Sequence, residues 1–208
     1  MTRTASLSDW ARLIARPTIA PGGGSAAAAT GVLAAAVVEM VAGLTAARDA
    51  YAPVHDEARV ARARAEGLRQ ELLTLASADA EALLRFEEAL ALPKGTDAER
   101  QLRERRKRAA LRDAAEIQRD VLAACAELAG LGSAMVERGL KSARSDAGTA
   151  VFLAAAAARS AARAIVADLD GEPPDSELAR MATAAVGRLA EAEDAERTVG
   201  HLLGETPE

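Results

Sequence analysis

The chain has 208 residues, with 26 Lys and Arg against 31 Asp and Glu, a net charge of −5 that argues against a nucleic-acid binder, because neutralising phosphates needs a basic face. Hydrophobic residues make up 50% but aromatics only 2%, so the apolar content is mostly Ala, Leu and Val. One cysteine, Cys125, cannot close an internal disulfide, and His55 and His201 lie far apart without partners at metal-ligand spacing, which excludes a zinc site.

Ala is the best helix former but adds little area to a core, and charged residues at 27% are interspersed with Ala and Leu. That composition predicts long helices in close contact, and a chain that gains from the buried area of a homodimer. Cys125 reads as a small buried apolar residue in a reducing compartment. The N-terminus lacks the apolar core of a signal peptide, and a cytoplasmic location is expected.

In chain order, Ser8 to Ile14 reads as a short amphipathic helix with Ser6 or Ser8 as cap, and Trp10, Leu13 and Ile14 on one face. Pro17 and Pro21 bound an extended stretch. After Gly22, Gly23 and Gly24, Ser25 is a good N-cap for a helix running to about Ala47. That helix is long enough to suggest a membrane span. Glu39 near its centre and its many alanines, close to neutral for insertion, make it a buried helix and not a span. Gly31 and Gly43 inside it each cost about 1 kcal/mol relative to Ala, which close approach of another backbone would offset.

Tyr51 and Pro53 mark a break. From His55 to Leu92 one heptad-like pattern runs through Val60, Leu68, Leu72, Leu75, Leu83, Phe86 and Leu90. A loop at 92 to 97 offers Thr96 or Asp97 as cap for a helix to about Arg138, in which Gly130 and Gly132 are candidate kinks. Its opening carries Arg100, Arg103, Arg105, Arg106, Lys107 and Arg108, read as a solvated face or as a docking strip for an acidic partner. Ser145 and Asp146 read as an N-cap pair for a second Ala-rich helix to Leu169, in which Arg159 and Arg163 meet a carboxylate or line a subunit contact. A loop at 170 to 176 and a last helix from Glu177 to about Leu203 follow, with a frayed tail. No stretch has strand periodicity. The expectation is a single all-α domain over 1–208, a multi-helical bundle of long Ala-rich helices.

The three glycines have two physical readings. They form a flexible turn, or they present bare backbone amides at a helix start, where the macrodipole attracts an anionic group. A phosphate loop of the Walker type is ruled out by the missing lysine and the missing strand. Among carboxylates, Glu39 lies in an otherwise apolar helix, as a buried acid, or as a charge that reaches solvent or joins a salt bridge in a dimer interface. Asp79 lies among alanines within a helix, where an exposed carboxylate is the plain alternative.

The stretch "PTIAPGGGSAAAATGVLAAAVVEMVAGLT", residues 17 to 45, resembles the N-terminal motif of the cyclodeaminase/cyclohydrolase family. Tyr51 follows at the family's distance, "DAEALLRFEEALALPK" resembles its Asp-Ala segment, and "SDAGTAVFLAAAAARSAARAIVADL" resembles its Ser-Asp-Ala-Gly helix. The resemblance covers roughly residues 7 to 170. It implies a helical, usually dimeric fold acting on the one-carbon unit that bridges N5 and N10 of tetrahydrofolate. The implied enzyme is a methenyltetrahydrofolate cyclohydrolase or a formiminotetrahydrofolate cyclodeaminase, with no metal and no cofactor beyond the folate substrate. Hydrolysis is favoured, because the chain reads as a domain with no transferase fused to it.

The resemblance nominates Asp146, Asp79 and Glu39 as catalytic, and Gly22, Gly23, Gly24, Ser25, Ser145 and Tyr51 as ligand-binding. Against it stand departures from the family's pattern: Leu140, Ala164 and Asp168 where the family has asparagines, and Gln118 in place of a helix-interior proline. These leave open a second expectation, a non-catalytic homodimer that binds a small anionic ligand or a protein partner.

Overall fold

A computed structural model describes residues 6–170, 173 and 176–204, and these are almost entirely helical. Most of the loop expected at 170 to 176 and the tail beyond Gly204 lie outside the described residues. Six α-helices follow one another: α1 (Leu7–Ile14), α2 (Gly23–Ala46), α3 (His55–Ala91), α4 (Asp97–Arg138), α5 (Arg144–Asp168) and α6 (Glu177–Leu203). Short 3₁₀ turns at Asp49–Val54 and Lys141–Ala143 lead into α3 and α5.

Local chemistry explains most of the ends. Ser6 and Thr96 each accept the N3 amide while Asp9 and Glu99 reach back, two capping boxes that satisfy free amides at α1 and α4. Ser176 caps α6 through the Ala179 amide, and Gly204, at φ 83°, closes it in the left-handed conformation that glycine adopts without strain. Two expected caps are not caps. α2 starts two residues before Ser25, at Gly23, with Gly22 as its N-cap and no side-chain cap. α5 starts at Arg144, so Ser145 and Asp146 fall inside its first turn, where neither caps the helix. The preceding 3₁₀ turn already supplies the helical carbonyls, leaving no cap position for them. α4 runs through Gly130 and Gly132 without interruption.

α2, α3, α4 and α5 pack against one another, and α6 covers α4 and α5. Cross-links between successive helices put early residues of one against late residues of the next. Thus Ser25 meets Asp79, Arg64 meets Glu127, and a Cβ on Gly148 would meet Leu203 and Val199. The bundle is therefore up and down. The buried stripe of α3 is Ala58, Ala61, Ala65, Leu68, Leu72, Ala76, Asp79 and Ala82, a run of three- and four-residue steps made mostly of alanine. Val60, expected to be part of the apolar pattern, is 68% exposed. Alanine carries the core face here, because large side chains would push the helix axes apart.

α2 is the clearest case of close approach. A Cβ on Gly31 would stand 2.8 Å from Cys125 Sγ and 3.0 Å from Leu72 Cδ1, both buried. One heptad earlier, Gly24 meets α3 and α4 in the same way, through Asp79 and Gln118. Gly43 differs, since its nearest neighbour is the Arg62 side chain at 3.6 Å, an ordinary contact. α2 and the Lys141–Asp168 segment are long and apolar enough to cross a membrane, but about half of each is buried in the bundle, as in core helices.

These spacings separate two superficially equal substitutions. Gly31→Ala is expected to destabilise by about 1–3 kcal/mol through overpacking. Gly43→Ala should be neutral or gain up to about 1 kcal/mol from helix propensity. Urea denaturation of the two variants beside the parent checks both signs.

Candidate active site

The residues under Gly24 form a buried polar layer. Asp79 is 2% exposed and lies on the core stripe of α3, at a position a leucine would fill in an ordinary bundle. Its Oδ2 accepts from the Ser25 hydroxyl at 2.7 Å, and its Oδ1 accepts from the Gln118 amide at 2.7 Å. Ser25 and Gln118 are themselves fully buried. Both carboxylate oxygens thus have donors, which offsets much of the cost of taking a charge out of water. Contact with the carboxylate fixes which end of the Gln118 amide faces it. That leaves Gln118 Oε1 buried without a partner.

Glycine 24 makes the layer possible. A Cβ there would lie 2.3 Å from Gln118 Nε2 and 2.4 Å from Asp79 Oδ1. Gly23 has nothing within 4 Å, so only one of these two glycines is required by packing. The first amides of α2 have no side-chain cap, because the N-cap residue, Gly22, has no side chain, and the Ser25 hydroxyl inside the helix is committed to Asp79. Free N–H groups and the positive end of the helix dipole therefore meet at Gly23 and Gly24.

Beside this helix start lies a cleft of about 720 Å³ between α2 and α5. Its walls are largely small and apolar, with Ala27, Ala157 and Ala164 among them, and its polar groups are Thr30, Ser160, Arg163 and Asp168. Size and composition suit a small planar ligand. Burial and the charge of Asp79 push the Asp168 carboxyl up to about 6. A second cleft of about 550 Å³, between α3, α4 and α6, is lined by charged side chains such as Glu71, Asp120 and Arg188. Its central Arg64 and Glu127 are bound to each other through two hydrogen bonds of 2.5 and 2.6 Å, so they are not free to recognise a ligand.

The residues nominated from sequence fall into three places. Gly22, Gly23, Gly24, Ser25 and Asp79 come together at the start of α2. Glu39, further along α2, is held by Arg69 of α3 in the same chain through contacts of 2.5 and 3.3 Å, so it is not an unpaired buried acid, and its salt bridge lies within the bundle and not in a dimer interface. Ser145 and Asp146 are exposed at the start of α5. They stand about 33 Å along that helix from Asp168, at 1.5 Å per residue. Tyr51 belongs to the same end, where its Oη accepts from the Lys141 amide at 3.0 Å. Thr45 Oγ1 likewise accepts from the Leu140 amide at 2.9 Å. Within one chain, then, Asp146 and Asp79 do not share a site.

Gln118 and Asp168 were visible in the sequence only as departures from a family pattern, and neither was nominated for the site. A polar residue at a core position of α4 was the signal for Gln118. For Asp168 no local signal exists. Of the basic residues, Arg159 pairs with Glu193 and Glu196 of α6, whereas Arg163 faces the cleft. Of the strip at the start of α4, Arg100, Arg105, Arg106 and Arg108 are exposed, whereas Arg103 and Lys107 are half-buried, Arg103 donating to the Leu90 carbonyl and Lys107 to Glu104. Cys125 is buried, and burial pushes its thiol up to about 12, which makes it a packing residue and not a nucleophile.

An up-and-down bundle with a glycine-led helix start over a buried carboxylate defines a class of small helical proteins whose cleft opens beside bare backbone. Residues 6–186 match the formiminotransferase-cyclodeaminase family, and the chain belongs to it. Over 151 residues, 73% of each chain, it is 36% identical to the methenyltetrahydrofolate cyclohydrolase of Methylorubrum extorquens. The crystal structure of formiminotetrahydrofolate cyclodeaminase from Thermotoga maritima superposes with a TM-score of 0.84, at 26% identity over 96% of both chains.

The packing around Gly24 yields a test of the layer. Gly24→Ala should destabilise by about 1–3 kcal/mol, since neither buried partner has room to retreat. Gly23→Ala should melt within a degree or two of the parent. Equal melting temperatures for both would mean that the layer tolerates a methyl group and is not close-packed.

Proposed function

We propose that this chain is a folate one-carbon enzyme that hydrolyses the methenyl bridge between N5 and N10 of tetrahydrofolate to a formyl group. Formiminotetrahydrofolate cyclodeamination is the related alternative. The observation that carries this reading is the buried carboxylate of Asp79 beneath Gly24, behind the wall of an alanine-walled cleft that Gly24 lines. The substrate's methenyl carbon belongs to a delocalised cation, and a fixed negative charge nearby favours its binding. Flat walls of Ala27, Ala157 and Ala164 suit the pterin face. The free amides of Gly23 and Gly24 suit the oxygen of the tetrahedral adduct, which is most negative before it collapses to the formyl C=O. Arg163, at the cleft wall, suits a carboxylate of the glutamate tail.

The relatives support this reading: the Methylorubrum protein is a cyclohydrolase, and the Thermotoga structure is a cyclodeaminase on the same fold. Neither reaction requires a metal or a redox cofactor. We place the protein in the cytoplasm, where folates are used.

A homodimer belongs to the proposal. Leu33, Met40 and Leu44 of α2 are 46%, 45% and 39% exposed and line one face of the helix. No charged residue interrupts that face between them. Such a stripe on a bundle with so little aromatic core is suited to a second copy. Light scattering should give twice the chain mass for the parent and the single chain mass for Met40→Glu.

The reaction is tested by loss of the near-ultraviolet absorbance of 5,10-methenyltetrahydrofolate above the spontaneous rate. Asp79→Asn should lower kcat by at least about 10²-fold. Asp146→Asn, at the far end of α5, decides between the two ends: a comparable loss there would move the chemistry to the Ser145 end. Folate binding without turnover in the parent would leave the second expectation, a non-catalytic dimer.

A further inference from the structure

Asp79 is poorly placed to move protons. It is buried, it is absent from the cleft wall, and both its oxygens are committed to Ser25 and Gln118. Asp168, at the last turn of α5, is only partly buried and lines the cleft together with Gly23 and Gly24. The two carboxyls are near enough that the charge of Asp79 acts on Asp168. Taking the hydrolytic reading of the cleft as its basis, we propose that Asp168 is the general base of this site and that Asp79 acts through it, as a fixed buried anion.

The surroundings of Asp168 bear this out in charge. α3 contributes Asp79, α2 contributes the uncharged Gly23, Gly24 and Ala27, and α4 the neutral Gln118. α5 itself carries Arg163 a turn and a half earlier, on the same cleft, and α6 carries Arg180 in its first turn. Burial is the larger influence and Asp79 the second, and both raise the proton affinity of Asp168 to a midpoint of about 6. A carboxylate with that midpoint is a stronger base than an ordinary aspartate and is still mostly ionised at pH 7.

The step balances. Water adds to the amidinium carbon, forming a C–O bond, while Asp168 takes one water proton. The C–N5 bond then breaks with its electron pair on N5, which takes that proton back from Asp168. The remaining hydroxyl proton passes to solvent as the formyl C=O forms. One proton is released per turnover, and the cationic substrate becomes a neutral formyl product.

The same arrangement bears on stability. A carboxyl raised in the folded state favours folding below its ordinary value near 4 and loses that contribution as pH rises through about 6. Asp168→Asn should therefore melt higher than the parent at pH 8, with the difference shrinking or reversing by pH 4. A stabilising substitution that removes activity is the signature of a functional residue held at a cost to the fold.

The deciding experiment is a carbon-13 NMR titration of aspartate-labelled protein without substrate, with the Asp168 signal assigned by its loss in Asp168→Asn. It is paired with pH profiles of methenyltetrahydrofolate hydrolysis. The expected result is a midpoint near 6 that falls in Asp79→Asn but stays above the ordinary value near 4, because burial, the larger cause, remains. In Asp168→Asn, kcat should fall at least 100-fold with KM within about threefold, and the acid limb near pH 6 should vanish. An Asp168 midpoint near 4 in the parent, or an unchanged rate and acid limb in Asp168→Asn, overturns the proposal while leaving the hydrolysis reading intact. No hydrolysis by the parent, with the coupled titration present, overturns the reaction and the base role together and leaves only the carboxyl pair.

Discussion

A carboxylate taken out of water is the constraint around which this bundle is arranged. Isolated in an apolar core, Asp79 would carry a desolvation penalty of several kcal/mol, so the fold must bring donors to it. Two come from different helices, Ser25 of α2 and Gln118 of α4, and Asp79 itself sits on α3. Three helices are thereby locked in register at one level. Only a residue without a Cβ lets α2 pass over that level, and Gly24 supplies it. Seven residues along, the same three helices meet again at Gly31, Leu72 and Cys125, this time without polar atoms to satisfy. The polar layer specifies register, and the apolar layer beside it adds cohesion.

Alanine makes such close passage possible and also limits what it yields. Each Ala–Ala contact brings axes together but removes little area from water, so the larger buried side chains, such as Leu68, Leu122 and Met135, matter disproportionately. The ion pairs that lace the surface do not make up the difference. Many, such as Arg59–Asp56 and Arg188–Glu191, are exposed pairs one turn apart, of a kind that contributes little. Glu39–Arg69 is the better-shielded exception, tying α2 to α3 midway along the helix. An apolar stripe left on α2 completes the picture of a fold with more interior-like surface than one chain covers.

The cleft follows from the same economy of side chains. Where α2 and α5 diverge toward the start of one and the end of the other, alanines leave a flat-walled opening, and nothing large fills it. The chain keeps the overall geometry of a distant cyclodeaminase structure. Three of its four departures from the family's pattern lie at the polar layer or its cleft: Gln118 contacts Asp79, Asp168 feels its charge and Ala164 lines the cleft, whereas Leu140 sits at the far end. Variation that leaves helix lengths untouched can therefore retune a site, because the protonation of one carboxyl depends on the neighbours that bury it.

Much of this protein was legible in its sequence. Helix positions follow from heptad spacing, alanine content and turn chemistry, all of them local, and the observed ends of α1, α3, α4 and α6 lie within a residue or so of expectation. The glycine run and Asp79 were likewise marked out, by the resemblance their motifs carry. Caps were less secure: Ser25 has an N-cap's chemistry, but its hydroxyl is drawn to a carboxylate 54 residues away. Which residues share a level of the bundle was decided only by tertiary packing. Asp146 and Asp168 sit on one helix and are equally plausible acids in one dimension, yet that helix carries them to opposite ends, one in solvent and one in the cleft. The sequence by itself determined a bundle of alanine-rich helices with a bare backbone at one start. The pairing of helices across long separations decided which carboxylates meet there, since burial and neighbouring charge, which set a carboxyl's chemistry, are properties of packing and not of spacing.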